Sequence, residues 1–206
     1  MRILGLSSAT KVISVGLIDG DKVLVDATVP DIHSEMILSY MEEAGIKSEQ
    51  IEGIAVADGP GSYSGLRGGL AVAKSLAHTL KVPIVGVSTL EAIAYNLVDK
   101  EGTIAVLLDA KRDEYNFALF KASQGELIRL TDDSVIKLED LDKKLANISG
   151  KVHLVGTDKG IQADPCGINV ARLGLLKIKA GETVDPLSMV PKYSHKPNIR
   201  EFHQSH

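Results

Sequence analysis

The first thirty residues carry the pattern of a three-stranded antiparallel sheet. Apolar and β-branched residues predominate in residues 2–6, 12–19 and 22–29, as is typical of strands. The turn at residues 19–21 joins the last two runs, and its Asp-Gly pair suits a tight hairpin. We therefore expect three antiparallel strands in succession.

From His33 onward, the spacing of apolar residues becomes that of a helix. Gly45 follows this segment at the position of a left-handed cap. A short apolar strand at 53–57 and a second helix at 64–80 come next, so the order is β-β-β-α-β-α. The apolar stripe of the first helix consists of Met36, Ile37, Tyr40, Met41 and Ala44.

The same order begins again in the second half of the chain, after a strand at 82–88 and a helix from 89 to about 98. The elements expected there are strands at 103–109 and 114–121, a broken run at 126–136, a helix at 138–146, a strand at 152–155 and a helical segment at 170–180. When the two halves are aligned, Leu6 falls on Leu108, Ser7 on Asp109 and Val15 on Phe117. We interpret this as a duplication, although an α+β chain can also show such an order by chance.

A duplicated β-β-β-α-β-α unit is the plan of the actin-like (ASKHA, ribonuclease H-like) α/β fold, in which nucleotide binds between two lobes. We expect an N-terminal lobe at 1–102 and a C-terminal lobe at 103–206, with the tail from about 190 packing back on the first lobe.

The composition is that of a soluble globular protein. The chain has 206 residues, of which 44% are hydrophobic, and its mean hydropathy is +0.08, which argues against disorder and membrane insertion. Ser7, Ser8, Thr10 and Lys11 interrupt the apolar N-terminus before the core of a signal peptide could form. We expect a cytoplasmic protein. Cys166 is the only cysteine, and we expect a buried small hydrophobe there rather than a nucleophile.

Acidic residues outnumber basic ones by 27 to 23. The chain as a whole therefore has no positive field with which to gather phosphates. If the protein serves a nucleic acid, we expect it to do so through a partner.

The glycine-rich stretch at 56–77 has the outline of a phosphate-binding loop, but it fits neither common motif. No Gly-Lys pair follows Gly59 or Gly61 at the spacing of a Walker loop, and Ser64 stands at the third glycine position of a dinucleotide loop. The free N–H groups of a helix N-terminus can still bind an anion weakly.

The helix itself offers a better explanation of its glycines. Gly65, Gly69, Ala73 and Ala77 recur every four residues and form a groove of small residues along one face. Each interior glycine costs about 1 kcal/mol relative to alanine, which close packing would offset. The sequence leaves open whether the groove packs on the chain's own sheet or on another subunit.

Four segments of the sequence resemble the TsaB (YeaZ) family: HSE at 33–35, GPGSYSGLRGG at 59–69, GVSTLEAIA at 86–94 and LLDAKRDEYNFALF at 107–120. The resemblance implies a catalytically silent relative of TsaD. TsaD places a threonylcarbamoyl group on N6 of adenosine 37 in tRNAs that read ANN codons. The resemblance also implies a heterodimer with TsaD, a homodimer without it, a larger complex with the ATPase TsaE, only indirect contact with tRNA, and no membrane.

Two departures from the family bear on chemistry. Ser7-Ser8-Ala9 stands where the family has Asp-Thr-Ser, so the first hairpin lacks the carboxylate that Asp109 keeps in the second. In the tail at 191–206, the arginine usual after the family's tyrosine is missing. His33 has Ile37 rather than histidine one turn later, so a TsaD-like metal site is not formed. We expect no catalytic residue, no cofactor and no metal.

We therefore expect a scaffold subunit, whose two N-terminal helices meet TsaD or a second copy. The expected interface consists of His33, Met36, Ile37, Tyr40, Met41, Tyr63, Gly65, Leu66, Arg67, Gly69, Leu70 and Ala73. The alternative is an enzyme, either an actin-like nucleotide-dependent phosphotransferase or a metallopeptidase. The first would lack a carboxylate at position 7, where serine stands, and the second would lack metal ligands.

Overall fold

The computed structural model describes residues 1–30 and 36–195, and its first sheet has five strands. The strands are β1 (Arg2–Ser7), β2 (Ile13–Asp19), β3 (Lys22–Val29), β4 (Gly53–Gly59) and β5 (Ile84–Ser88). Their order is β3-β2-β1-β4-β5, with β1 to β3 antiparallel and β4 and β5 parallel to β1. The predicted succession of three antiparallel strands is confirmed.

The second sheet repeats this topology. Its strands are β6 (Gly102–Lys111), β7 (Glu114–Ser123), β8 (Glu126–Arg129), β9 (Ser134–Lys137), β10 (Val152–Gly156) and β11 (Ile161–Gln162). Their order is β11-β10-β6-β7-β8, and β9 pairs with the first half of β7. Counted from β6, this is the order of the first sheet, so the duplicated actin-like plan is confirmed. The sequence pattern missed β11, because two exposed residues carry no alternation.

Five α-helices accompany the sheets in the described part of the chain. They are α1 (Ile37–Glu43), α2 (Tyr63–Leu80), α3 (Thr89–Ala94), α4 (Leu141–Leu145) and α5 (Gly167–Lys179). Short 3-10 turns lie at Ser48–Gln50, Tyr95–Leu97, Leu138–Asp140 and Pro186–Ser188. The predicted start of the first helix at His33 lies outside the described residues, and Gly45 has the positive φ of +74° expected of a cap. Among the described helices, none has the length and apolar character needed to cross a membrane.

Each sheet packs against a helix that belongs to the other half of the sequence. Helix α5, from the C-terminal half of the chain, packs on the first sheet, where Gly5 and Gly16 make room for it. A Cβ atom on Gly5 would lie 2.0 Å from the carbonyl oxygen of Gly167. Helix α3 packs instead on the second sheet, where Leu90 contributes to the same apolar cluster as Phe120. The sheets divide near residue 102, but their helices do not; the two predicted domain ranges stay a prediction.

The small-residue face of α2 points into the chain. Ser62 caps the helix by accepting a hydrogen bond from the Gly65 N–H at 3.4 Å. Gly65 and Gly69 lie against Ser8, so that a Cβ on Gly65 would be 1.9 Å from the Ser8 carbonyl oxygen. The buried residues of the helix are Gly65, Leu66, Gly69, Leu70, Ala73 and Ala77. Close packing within the chain therefore accounts for these glycines.

We expect Gly65→Ala to destabilise the fold. Alanine favours a helix by about 1 kcal/mol over glycine, but the added methyl group would meet the Ser8 backbone. The net loss should be about 1–3 kcal/mol of unfolding free energy, measured by urea denaturation. Ala71→Leu is the control because Ala71 is exposed on the same helix, and its effect should stay within about 0.5 kcal/mol. Equal stability of Gly65→Ala and the unmodified chain would contradict the packing described here.

Candidate functional site

The glycine-rich loop at 59–65 is filled by the turn between β1 and β2. The Ser62 N–H donates to the Ala9 carbonyl oxygen at 2.7 Å, and a Cβ on Gly61 would lie 2.3 Å from that oxygen. The Ser8 hydroxyl donates to the Gly65 carbonyl at 2.8 Å. The backbone of the turn between β1 and β2 therefore packs directly against the glycine loop.

The C-terminal segment closes the other side of this loop. Gly59 has a φ of +130°, and a Cβ there would lie 2.1 Å from the Lys192 carbonyl oxygen. The Lys192 N–H donates to the Asp58 carbonyl at 2.7 Å, and its ammonium lies 2.8 Å from Asp58 Oδ2. The Asp58 side chain is 6% exposed and that of Lys192 is 67% exposed. A buried carboxylate is thus paired with a cation that remains largely in water.

The two hairpins do not fit a magnesium nucleotide. Ser7 is buried at the end of β1, and its hydroxyl oxygen has no hydrogen-bond partner. Asp109 accepts hydrogen bonds from the N–H and the ammonium of Lys111, both at 2.8 Å. These bonds hold the pKa of the Asp109 carboxyl below its usual value. One hairpin lacks a carboxylate, and the other already pairs its carboxylate with a cation.

Metal-ligating side chains are dispersed over the described residues. Within 1–30 and 36–195, no three of the histidine, cysteine, aspartate and glutamate side chains are grouped so that they could hold a metal ion. His33 lies outside the described residues. Cys166 is half-buried immediately before α5, and burial raises the pKa of its thiol.

An aromatic and cationic cluster stands on the outward face of α2. The Tyr63 and Tyr193 rings stack with their centroids 4.6 Å apart. The Arg67 guanidinium lies 4.0 Å from the Tyr63 centroid, and its Nε donates to the Tyr193 hydroxyl at 3.0 Å. This hydrogen bond raises the pKa of Arg67. The exposed Tyr63 and Arg67 and the half-buried Tyr193 thus form a platform whose members hold one another in place.

A groove of about 400 Å³ continues along α2 beyond this platform. Helix α2 forms one wall and residues 187–191 form the other. The Lys74 ammonium holds the two walls together, since it donates to the carbonyl oxygens of Leu187 at 3.3 Å and Met189 at 2.8 Å. Leu187 and Val190 are each 68% exposed. The lining residues are Arg67, Leu70, Ala71, Lys74, Ser75, His78, Leu187, Met189 and Pro191.

The structure divides the expected interface residues between the surface and the interior. Met36, Tyr63 and Arg67 are exposed, while Tyr40 is half-buried beside a cavity of about 220 Å³ between α1 and the strands β2 and β3. His33 lies outside the described residues. The buried members are Ile37, Met41, Gly65, Leu66, Gly69, Leu70 and Ala73. Contact of any of these residues with a partner stays a prediction.

Sequence reasoning missed several exposed residues of the same surface. Ala71 and Ser75 follow Arg67 at intervals of four on α2. The helical period places all three opposite the glycines, so it could have predicted their exposure. Leu38, on α1, is exposed, although it lies next to a buried position. Leu187 and Val190 belong to an irregular segment, whose orientation no periodicity predicts.

Comparison with known proteins agrees with this architecture. The family model described as "TsaD: tRNA N6-adenosine threonylcarbamoyltransferase" matches residues 31–187. The tRNA threonylcarbamoyladenosine biosynthesis protein TsaB of Escherichia coli is 30% identical over 194 residues, covering 90% of this chain and 82% of the relative. TsaB of Bacillus subtilis is 28% identical over 172 residues, covering 78% and 73%.

The structure of YeaZ from Pseudomonas aeruginosa superposes with a TM-score of 0.78 at 22% identity, and covers 93% of this chain and 99% of that one. At this level of identity, the superposition establishes a shared fold. The identity and coverage of the Escherichia coli relative show that this chain belongs to the TsaB (YeaZ) family, which its sequence motifs resemble.

Proposed function

We propose that this chain is a non-catalytic subunit that binds and supports TsaD during threonylcarbamoylation of adenosine 37 in tRNA, in the cytoplasm. It pairs with a second copy of itself when TsaD is absent, and it joins TsaE in a larger complex. It meets tRNA only through these partners. Membership of the TsaB family places the chain in the biosynthesis of threonylcarbamoyladenosine, and the surface of α2 supports the role as a binding subunit.

The observation that carries the proposal is the groove along the outward face of α2. Its lining combines apolar side chains, among them the exposed Leu187, with the polar side chains of Arg67, Lys74, Ser75 and His78. The groove ends at the platform, where the Arg67 guanidinium lies over the Tyr63 ring. Exposed apolar surface rimmed by polar groups marks sites of protein association. Tyrosine and arginine are the residue types that contribute most to such contacts.

Helix α1 extends this surface. This helix packs against α2, and the exposed Leu38 on α1 and Met36 just before it add apolar area to the proposed surface. Specific interfaces bury about 1,600 Å² in total. The buried glycines and leucines of α2 would then act indirectly, by fixing the helix on its sheet so that Tyr63, Arg67 and Ala71 face a partner.

The absence of catalysis is supported by the two hairpins and the glycine loop. A phosphotransferase requires groups that hold a magnesium nucleotide from both lobes. Here Ser7 supplies no carboxylate, and the Asp109 carboxylate already accepts a hydrogen bond from the Lys111 ammonium. The backbones of Ala9 and Lys192 pack against the loop at 59–65. The described residues likewise offer no group of ligands for a metallopeptidase.

We expect the isolated chain to show no saturable binding of magnesium-ATP. A phosphate bound in the loop at 59–65 would have to displace the backbones of Ala9 and Lys192. Serine at position 7 would offer the magnesium ion no carboxylate in return. Isothermal titration calorimetry is the measurement, with an actin-like sugar kinase as positive control. A dissociation constant in the micromolar range would contradict the proposed absence of nucleotide chemistry.

We expect Ala71→Arg to abolish association with TsaD while leaving the fold intact. Ala71 is exposed in the groove, so a long cation would fill the groove without entering the core. Loss of binding should exceed about tenfold, the effect of removing a central interface contact, as measured by pull-down and sizing chromatography.

Ala146→Arg is the matched control, because Ala146 is exposed immediately after α4 in the second half of the chain. It should bind TsaD like the unmodified chain. If Ala71→Arg folds normally and still binds TsaD, α2 is not the docking surface.

A further inference from the structure

Residues 191–195 form a strap that touches both halves of the molecule. On the first half, Lys192 binds Asp58 through its backbone N–H at 2.7 Å and through its ammonium at 2.8 Å. The next residue, Tyr193, turns to the outward face of α2, where it stacks on Tyr63 and accepts the hydrogen bond from Arg67.

The strap then reaches β7 of the second sheet. The Ser194 hydroxyl donates to Oδ1 of Asn116, a buried residue whose side-chain N–H donates to the Leu108 carbonyl at 3.4 Å. His195 Nε2 lies 3.3 Å from Glu114 Oε2. Three successive residues of the strap thus contact α2 and the start of β7.

Two further side-chain contacts between the two halves lie away from α2. Ser88, at the end of β5, donates to Asp133 Oδ2 at 3.1 Å, and Thr10 donates to Asp164 Oδ1 at 3.1 Å. Because a partner on α2 would not touch these side chains, they would hold the two halves together with or without it. The strap differs because Tyr193 belongs to the platform on which a partner would dock.

Lys192 acts as the fixed point of the strap. If its ammonium were released, the buried Asp58 carboxylate would have no cation beside it. The other oxygen of this carboxylate, Oδ1, already lacks a hydrogen-bond partner. Uncompensated burial of a charge is strongly unfavourable. A rearrangement at Tyr193 is therefore expected to pivot about Lys192 and to move Ser194 and His195.

We propose that the strap couples occupancy of the outward face of α2 to the tie between the two halves of the molecule. When a partner binds Tyr63 and Arg67, their contacts with Tyr193 break. The strap then moves, so that Ser194 loses its hydrogen bond to Asn116 and His195 loses its contact with Glu114. The inference rests on the proposed function for the identity of that partner, TsaD, but the strap itself can be tested on the isolated chain.

The first experiment uses the side-chain amide resonances of Asn116 in the full chain. Ser194→Ala removes the contact and defines the signal of the released strap. Tyr63→Ala, on the other half of the molecule, should move the Asn116 resonances toward that signal, because Tyr193 loses its stacking partner. Ser75→Ala is the control, since Ser75 is exposed on α2 and lines the groove. If Tyr63→Ala leaves Asn116 unchanged, the strap does not connect the two surfaces.

The second experiment measures affinity for TsaD. Ser194→Ala should bind TsaD more tightly by about threefold to tenfold, because one hydrogen bond no longer has to be broken on docking. Ser149→Ala, exposed in the second half, should bind like the unmodified chain. Equal or weaker binding of Ser194→Ala would overturn the coupling.

The two experiments separate the inference from the proposed function. If the unmodified chain does not bind TsaD, the proposed function fails and its coupling to that partner fails too. The Asn116 resonances still decide whether the strap connects α2 with β7, since that measurement requires no partner.

Discussion

The structure depends on approaches between backbone segments that are closer than a side chain would permit. Gly65 lets α2 meet the turn at Ser8, and Gly5 lets α5 lie directly on the first sheet. Each such contact sacrifices side-chain burial and helix propensity, but gains a short distance between elements. Because α5 belongs to the C-terminal half of the chain, its packing holds that half against the first sheet.

The same packing determines which surface is available to other molecules. With its small residues turned inward, α2 presents Tyr63, Arg67 and Ala71 outward. The loop before α2 is occupied by Ala9 on one side and Lys192 on the other. The glycine loop is therefore packed against the chain's own backbone, and the free surface of α2 runs from Tyr63 at its first turn along the face that carries Arg67 and Ala71.

The pairing of charges differs between the ends of the strands and the outward face of α2. Carboxylates at the ends of strands are paired within the chain, Asp58 with Lys192 and Asp109 with Lys111. On the outward face of α2, Arg67 is held by an aromatic ring and a hydroxyl rather than by a carboxylate. A cation of this kind keeps its full charge toward a partner, while its geometry is fixed.

All the strands except β11, the order of the elements, their duplication and the family resemblance could be predicted from the sequence. These follow from local periodicity and from short motifs such as the one at 59–69, because a strand or helix repeats its pattern over neighbouring residues. The turn at 19–21 and the cap at Gly45 were also predictable, since both depend on local backbone geometry.

Tertiary contacts determine the orientation of α2, the packing of α5 on the first sheet and the path of the strap from α2 to β7. Glycines every four residues suit internal packing and subunit contact equally well, so the choice depends on Ser8, which lies 57 residues before Gly65. The strap has no periodicity, and its hydrogen bonds with Arg67 and Asn116 span 126 and 78 residues of chain. Such pairings are determined by how distant segments fit together in space, which no local pattern encodes.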